Sequence, residues 1–216
     1  MKLKTLEITN FRCFESLSMD FDEQLTVLVA KNGQGKTSIL DAIRIGLWSF
    51  VSGFDLARNQ NNDSGNNISF NDLRLIQDRI KIPCKITLSG YYNDYESNND
   101  LKEISWTRCK EVGKTKDDKN SKLIKSLAAF AQNLDDMQYL DDTDVDSELH
   151  IDADINLPVI GYYGTGRLWN QKRLTKNKKL DLNMRLFAYS DCLDSASSYK
   201  SECEKGCNDE KGEHLG

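Results

Sequence analysis

Residues 26–51 constrain this chain more than any other stretch. Val27-Leu28-Val29-Ala30 is a short apolar run that predicts a buried strand. Asn32-Gly33-Gln34-Gly35 follows, and Lys36-Thr37-Ser38 opens a second apolar stretch. There Ile39, Leu40, Ile43, Leu47, Phe50 and Val51 recur at spacings of three and four, which predicts a helix packed on a sheet and ended at Ser52-Gly53. Strand, glycine loop, Lys-Thr and helix form the context that the phosphate-loop pattern G-x-x-x-x-G-K-[ST] requires. Glycine reaches torsions closed to other residues, so successive N–H groups can turn inward around a phosphate. The helix start adds its dipole and its own unpaired N–H groups. On this reading Asn32, Gly33, Gln34, Gly35, Lys36, Thr37 and Ser38 cradle ATP. Lys36 reaches the β- and γ-phosphates as the candidate catalytic residue, and the Thr37 hydroxyl is the candidate Mg²⁺ ligand. Ala30 stands where the first glycine of the pattern falls, which a negative φ tolerates. The competing reading is a plain glycine turn with Lys36 in solvent.

At 216 residues the chain suffices for one large domain or two small ones, and 38% hydrophobic with 29% charged residues is a globular balance. It has no run of 18 apolar residues, and Met1-Lys2-Leu3-Lys4 opens no signal peptide. These features predict a cytoplasmic protein with no membrane partner. Cysteines 13, 84, 109, 192, 203 and 207 form no C-x-x-C pair and read as reduced thiols rather than zinc ligands or disulfides. A net charge of −5 argues against a global basic footprint for nucleic acid. Locally, Lys172, Arg173, Lys176, Lys178 and Lys179 form the one patch that nucleic acid could use, with a solvated basic loop as the alternative.

In chain order, Leu6 and Ile8 alternate with polar residues and predict a first strand. Asn10-Phe11-Arg12-Cys13-Phe14 makes a corner, and Leu17, Met19 and Phe21 predict a second strand that turns at Asp22-Glu23. Residues 59–67 hold no apolar side chain and read as a mobile surface loop. Ile80, Ile82, Cys84, Ile86 and Leu88 predict a half-buried strand, and Ile104 and Trp106 a weaker one, with a hairpin connection over 93–100. A second Gly-Lys-Thr, at 113–115, opens no apolar helix and reads as a turn. Leu123, Leu127, Ala131, Leu134 and Met137 predict an amphipathic helix, and residues 135–154, with nine acids and no lysine or arginine, a solvated acidic loop. Leu157 to Gly164 reads as a buried strand leading to Arg167, which is a candidate for a phosphate or partner contact or a surface ion pair. Leu182, Leu186, Tyr189 and Leu193 suggest a last helix.

The stretch LEITNFRCFESLSMDFDEQLTVLVAKNGQGKTSILDAI resembles the N-terminus of the ABC-type ATPases of the SMC and RecF group, which open with N-F-R-x-F and carry a G-x-N-G-x-G-K-[ST] loop. LPVIGYYGTGRLW and Tyr189-Ser190-Asp191-Cys192-Leu193-Asp194 are similar to a bacterial branch, the "predicted ATP-binding protein involved in virulence" type, close to the PtuA-like ATPases of Septu and retron anti-phage systems. The resemblance implies an α/β P-loop NTPase fold: the N-terminal lobe of an ABC-type head, with a mixed sheet, an added antiparallel hairpin and flanking helices. It implies Arg12 as a second nucleotide contact, with a surface arginine at a strand end as the alternative. It also implies ATP and Mg²⁺ as cofactors, a homodimer or a partner ATPase or nuclease, and a setting in DNA repair or antiviral defence.

The group's second half brings a signature motif, a four-apolar strand ending in Asp-Glu and a switch histidine. Leu88-Ser89-Gly90, Tyr139-Leu140-Asp141-Asp142, His150 and His214 match none of them. The expectation is therefore a truncated N-terminal half, 1–198, with a disordered tail, 199–216, that lacks large apolar residues before Leu215. Such a chain is expected to bind nucleotide weakly and to hydrolyse little alone. The alternative function is a non-catalytic P-loop scaffold or regulatory subunit, and another P-loop enzyme such as a kinase fits the opening residues less well.

Overall fold

The computed structural model describes residues 1–55, 57, 66–94, 100–143, 157–164, 186, 189 and 192–194. Its centre is a five-stranded sheet in the order β2-β1-β5-β6-β7. The strands are β1 (Lys2–Phe11), β2 (Phe14–Asp20), β5 (Cys84–Asp94), β6 (Asp100–Lys110) and β7 (Lys116–Asp117). A small hairpin of β3 (Leu75–Ile76) and β4 (Arg79–Ile80) stands apart. Two α-helices, α1 (Lys36–Val51) and α2 (Lys119–Thr143), and a short 3-10 turn at Phe70–Asp72 complete the described elements. The α/β architecture is as expected, while every ladder in the sheet is antiparallel where a mixed sheet was predicted.

Alternation decides which face is core. Leu6 and Ile8 of β1 lie opposite Leu88 and Ile86 of β5 and opposite Met19 and Leu17 of β2. Leu6, Ile8, Ile86, Leu88 and Trp106 are buried on the face that receives α1 through Ala42, Ile45, Phe50 and Val51. Burying side chains of this size contributes about 1.5–3 kcal/mol each. The helix comes close at Gly46, where an added Cβ would stand 2.4 Å from Leu88 Cδ1. Trp106 uses that approach, donating its indole N–H to the Gly46 carbonyl at 2.9 Å. Helix α2 lies against α1 and β6 and buries Ile124, Ala128 and Ala131. Leu186, Tyr189 and Leu193 also enter the core, with the Tyr189 ring stacked on Phe54 at 4.0 Å.

Buried Arg108 ties the sheet to the elements above it. It donates to Asp117 at 2.7 Å, to the carbonyls of Ile45 (2.9 Å) and Asn66 (2.6 Å), and to Asn67 Oδ1 (2.9 Å). Burial lowers its pKa, and the charge and hydrogen bond of Asp117 work the other way.

Several expectations need correcting. Residues 27–30 form no strand: Val27 is 68% and Val29 89% exposed, and no described strand lies alongside to pair with them. The run from Ile80 to Leu88 is broken at 81–83, where Pro83 has no N–H for a ladder, and Ile80 and Ile82 are exposed. Residues 157–164 also form no strand: Pro158 cannot donate, and the Tyr162 N–H goes to the Cys192 carbonyl at 2.7 Å. Helix α2 runs through 135–143, the start of the expected acidic loop, since neither Gly nor Pro stops it. Asn66, placed in a surface loop by sequence, is buried under Arg108. The Gly113 turn is present with φ +87°, and Thr115 is engaged, accepting the Ile68 N–H at 3.0 Å.

Arg167, the Lys172–Lys179 patch, most of the last predicted helix and the 199–216 tail lie outside the described residues, as do 59–65, 95–99 and the remainder of the acidic stretch.

Candidate functional site

The site begins at the corner between β1 and β2. Phe11 is fully buried and anchors the end of β1. Asn10 and Arg12 on either side of it take left-handed torsions, φ +51° and +49°. Asparagine tolerates this region, whereas for arginine it costs about 1 kcal/mol or more unless contacts fix it. Both are fixed. The Asn10 amide donates to the Pro83 carbonyl at 3.0 Å, and the Arg12 backbone N–H to the Asp72 carbonyl at 2.7 Å.

The corner delivers Cys13 and Phe14 onto the glycine loop. An added Cβ on Gly35 would lie 2.5 Å from the Phe14 ring and 2.8 Å from the Cys13 sulfur, and Gly35 has φ +90°. Glycine is thus required there by both space and torsion. Gly35→Ala is expected to distort the loop and to cost about 1–3 kcal/mol of stability, read by thermal denaturation.

Gly35 is also the N-cap of α1. No side chain caps this helix end, and no acidic residue occupies its first turn. The first N–H groups of an α-helix have no partner within it, so this end presents donors and a positive dipole end to an anion. Gly33, with φ +82°, turns the loop above it. Lys36 folds its ammonium back onto the loop's own carbonyls, Ala30 at 2.5 Å and Lys31 at 3.0 Å. Lysine, glycines, Thr37 and Ser38 are thereby gathered at one helix start. The donor set fits a phosphate chain, and Thr37, exposed in the first turn, is the residue placed to offer a hydroxyl to its cation.

Arg12 is placed differently from the loop residues. Its guanidinium spans two carboxylates: Nη1 donates to Asp41 Oδ2 at 2.6 Å, while Nε and Nη2 reach Asp72 Oδ1 at 2.8 Å. Burial works against its charge, and Asp41 and Asp72 outweigh burial, so its pKa is raised. Asp72 is itself held, its other oxygen accepting the Ser69 N–H at 2.8 Å and the Ser69 hydroxyl at 2.6 Å. Asp41 lies five residues beyond Lys36 on α1, and its other oxygen accepts the Tyr162 hydroxyl at 2.6 Å. Burial first, then the bond to Asp41, pushes the Tyr162 phenol up to about 12. Its folded value lies above the ordinary 10.0, so the stability it contributes is present below pH 10 and lost as the pH rises to about 12.

Asp41, Asp72 and Tyr162 are the residues that sequence reasoning missed. They lie 29, 60 and 150 positions from Arg12, so no local spacing links them. The usable signal was Tyr162 within the 157–164 run, whose phenol can donate to a carboxylate from a largely apolar stretch.

Comparison with known proteins bears out the resemblance to the SMC and RecF group. The profile of a family described as AAA domain matches residues 5–213. The chain is 26% identical over 206 residues to the DNA replication and repair protein RecF of Clostridioides difficile, a match covering 92% of this chain and 50% of that protein. It is 54% identical over 48 residues to RecF of Leptospira interrogans, covering 22% of this chain and 13% of RecF. An uncharacterized protein, 050L, of Invertebrate iridescent virus 6 is 32% identical over 97 residues, 43% of this chain and 9% of the viral protein. The chain thus spans half or less of these relatives. A solved structure described under "ATP-driven dimerization and DNA stimulated activation of SMC ATPases" aligns with TM-score 0.40 and 18% identity, over 60% of this chain and 79% of that one.

Proposed function

Because the chain belongs to the AAA-domain family, we propose that it binds ATP with Mg²⁺ at the Asn32–Ser38 loop, as the N-terminal part of an SMC/RecF-type ATPase. The observation that carries this reading is the uncapped N-terminus of α1, entered through left-handed Gly35, with the Lys36 ammonium turned into the loop. The loop amides and Lys36 bind and orient the phosphates, and Thr37 is the residue that holds Mg²⁺. The bound metal ion supplies charge neutralisation on the phosphate oxygens. Arg12 is the second contact, at the flank of α1.

Similarity to RecF supports DNA replication or repair as the setting. The resemblance of the 157–169 stretch to anti-phage ATPases supports defence as the other candidate. A homodimer, or a partner ATPase or nuclease, is the assembly in which a held nucleotide would be hydrolysed, with the Lys172–Lys179 patch as the place for nucleic acid. The test is equilibrium titration with labelled ATP, with and without Mg²⁺. Saturable, Mg²⁺-dependent binding that unlabelled ATP displaces is expected, and its absence refutes the reading.

Cys13 offers an independent check, since its thiol is exposed and packed against Gly35. Mg²⁺-ATP at about ten times its Kd is expected to slow iodoacetamide alkylation of Cys13 about tenfold, following occupancy. Peptide mass spectrometry reads this, with buried Cys84 as an internal reference. Equal rates with and without nucleotide would count against a phosphate seated in the loop.

A further inference from the structure

The 157–164 segment is placed by contacts that converge on one side chain. Tyr162 is fixed at three points: its backbone N–H donates to the Cys192 carbonyl at 2.7 Å, the Arg44 guanidinium lies 5.1 Å from its ring centroid, and its hydroxyl donates to Asp41 at 2.6 Å. Arg44 and Asp41 both belong to α1, so the tyrosine sits across the helix that begins at Lys36. The two stretches singled out in the sequence, 157–169 and 189–194, meet at this residue.

The hydroxyl shares the Asp41 carboxylate with Arg12. Tyr162 takes Oδ1 and Arg12 takes Oδ2, each at 2.6 Å. A carboxylate gripped by one donor can turn about its side-chain torsions, and a second donor on the other oxygen stops that rotation. The side chains concerned are sheltered, with Asp41 15% and Asp72 8% exposed, so water replaces a lost donor poorly. On its far side Arg12 is held by Asp72, which is locked by Ser69. The Asp41 side of the clamp therefore depends on Tyr162.

We propose that Tyr162 is a positioning residue for Arg12: acting through Asp41, it fixes the guanidinium at the flank of α1 and so couples the 157–164 segment to the nucleotide site. For its effect on ATP this rests on the reading that Asn32–Ser38 and Arg12 bind nucleotide. The positioning itself stands on the geometry alone. Tyr162 touches no phosphate in this scheme. It sets the place from which Arg12 does.

The experiment combines Tyr162→Phe, Arg12→Ala and the double variant, with two readouts. The first is ATP affinity. Tyr162→Phe is expected to raise the Kd about fivefold in the wild-type background, and to have no further effect once Arg12 is alanine. The second needs no nucleotide: solvent exchange of the Arg12 Nη1 protons, which face Asp41 at 2.6 Å, followed by NMR, is expected to quicken about tenfold in Tyr162→Phe. Asp41→Asn is a second variant, expected to quicken the same exchange should the phenylalanine protein fail to fold. Unchanged Arg12 exchange in both variants overturns the proposal, as does the same loss of affinity with and without Arg12. If the wild type holds no ATP while the Arg12 signal still responds to Tyr162→Phe, the nucleotide reading falls and the positioning role stands.

Discussion

Lys36→Ala is expected to remove measurable ATP binding while leaving the fold intact. The ammonium is the one lysine the loop turns inward, and its present partners are two exposed carbonyls, those of Ala30 and Lys31. Deleting one member of a desolvated charge pair costs about 2–5 kcal/mol, or roughly 30-fold and upward in Kd. Losing two exposed bonds to a loop costs the fold about 1 kcal/mol or less. The variant should therefore unfold within a few degrees of the wild type and fail to bind, which calorimetric titration beside thermal denaturation would separate. Wild-type affinity in Lys36→Ala would leave the loop as a glycine turn with a solvated lysine. A large fall in melting temperature would instead make that lysine a structural brace.

Arg108→Ala is expected to do the opposite, damaging the fold far more than any loop substitution. The guanidinium is buried in the sheet and satisfies the Ile45 carbonyl in α1, the Asn66 carbonyl and Asn67 below it, and Asp117 in β7. Removing it takes a donor from the Ile45 and Asn66 carbonyls, from Asn67 and from Asp117, and leaves a void in the sheet face where it was buried. Breaking a buried pair of this kind costs about 3–5 kcal/mol, which in a domain of this size lowers the melting temperature by roughly 10 °C. Circular dichroism melts would register it. Arg108→Lys should recover only part of the loss, because an ammonium cannot match a planar fork with four partners. A melt within 2 °C of wild type for Arg108→Ala would mean that these bonds are replaced by water at little cost.

How legible all this was depended on distance along the chain. The β1 and β2 alternations and the strand pair around Leu88 and Trp106 are local patterns, and they stand as read. The α1 face is displaced: Leu40 is exposed and Ile39, Ile43 and Leu47 are half-buried, while Ala42, Ile45, Phe50 and Val51 enter the core. The glycines, lysine and threonine of the candidate loop could be read together because they lie within six positions of one another. Strand expectations at 27–30 and 157–164 failed for a common reason: hydrophobicity marks a segment that could pair, whereas a strand exists only where a neighbour offers its backbone. Pro83 and Pro158 mark places where no donor exists, and their effect could have been anticipated. Arg12 was legible as a residue of interest, yet its two carboxylates and the tyrosine behind them were not. Nothing in residues 41, 72 or 162 taken alone distinguishes a clamp from polar side chains that simply face water.

The register of β1 with β5 has a consequence for the order in which the molecule assembles. Leu6 and Ile8 meet Leu88 and Ile86 across about 80 residues, and the enclosed chain contains the glycine loop, all of α1 and Asp72. The surface on which Ala42 and Ile45 dock comes into being only when those two strands have met. Closing a loop of that length is a slow, non-local event. Nucleotide should therefore find no cradle early in folding. ATP added to a refolding reaction would act after the rate-limiting step, slowing unfolding and leaving the folding rate unchanged.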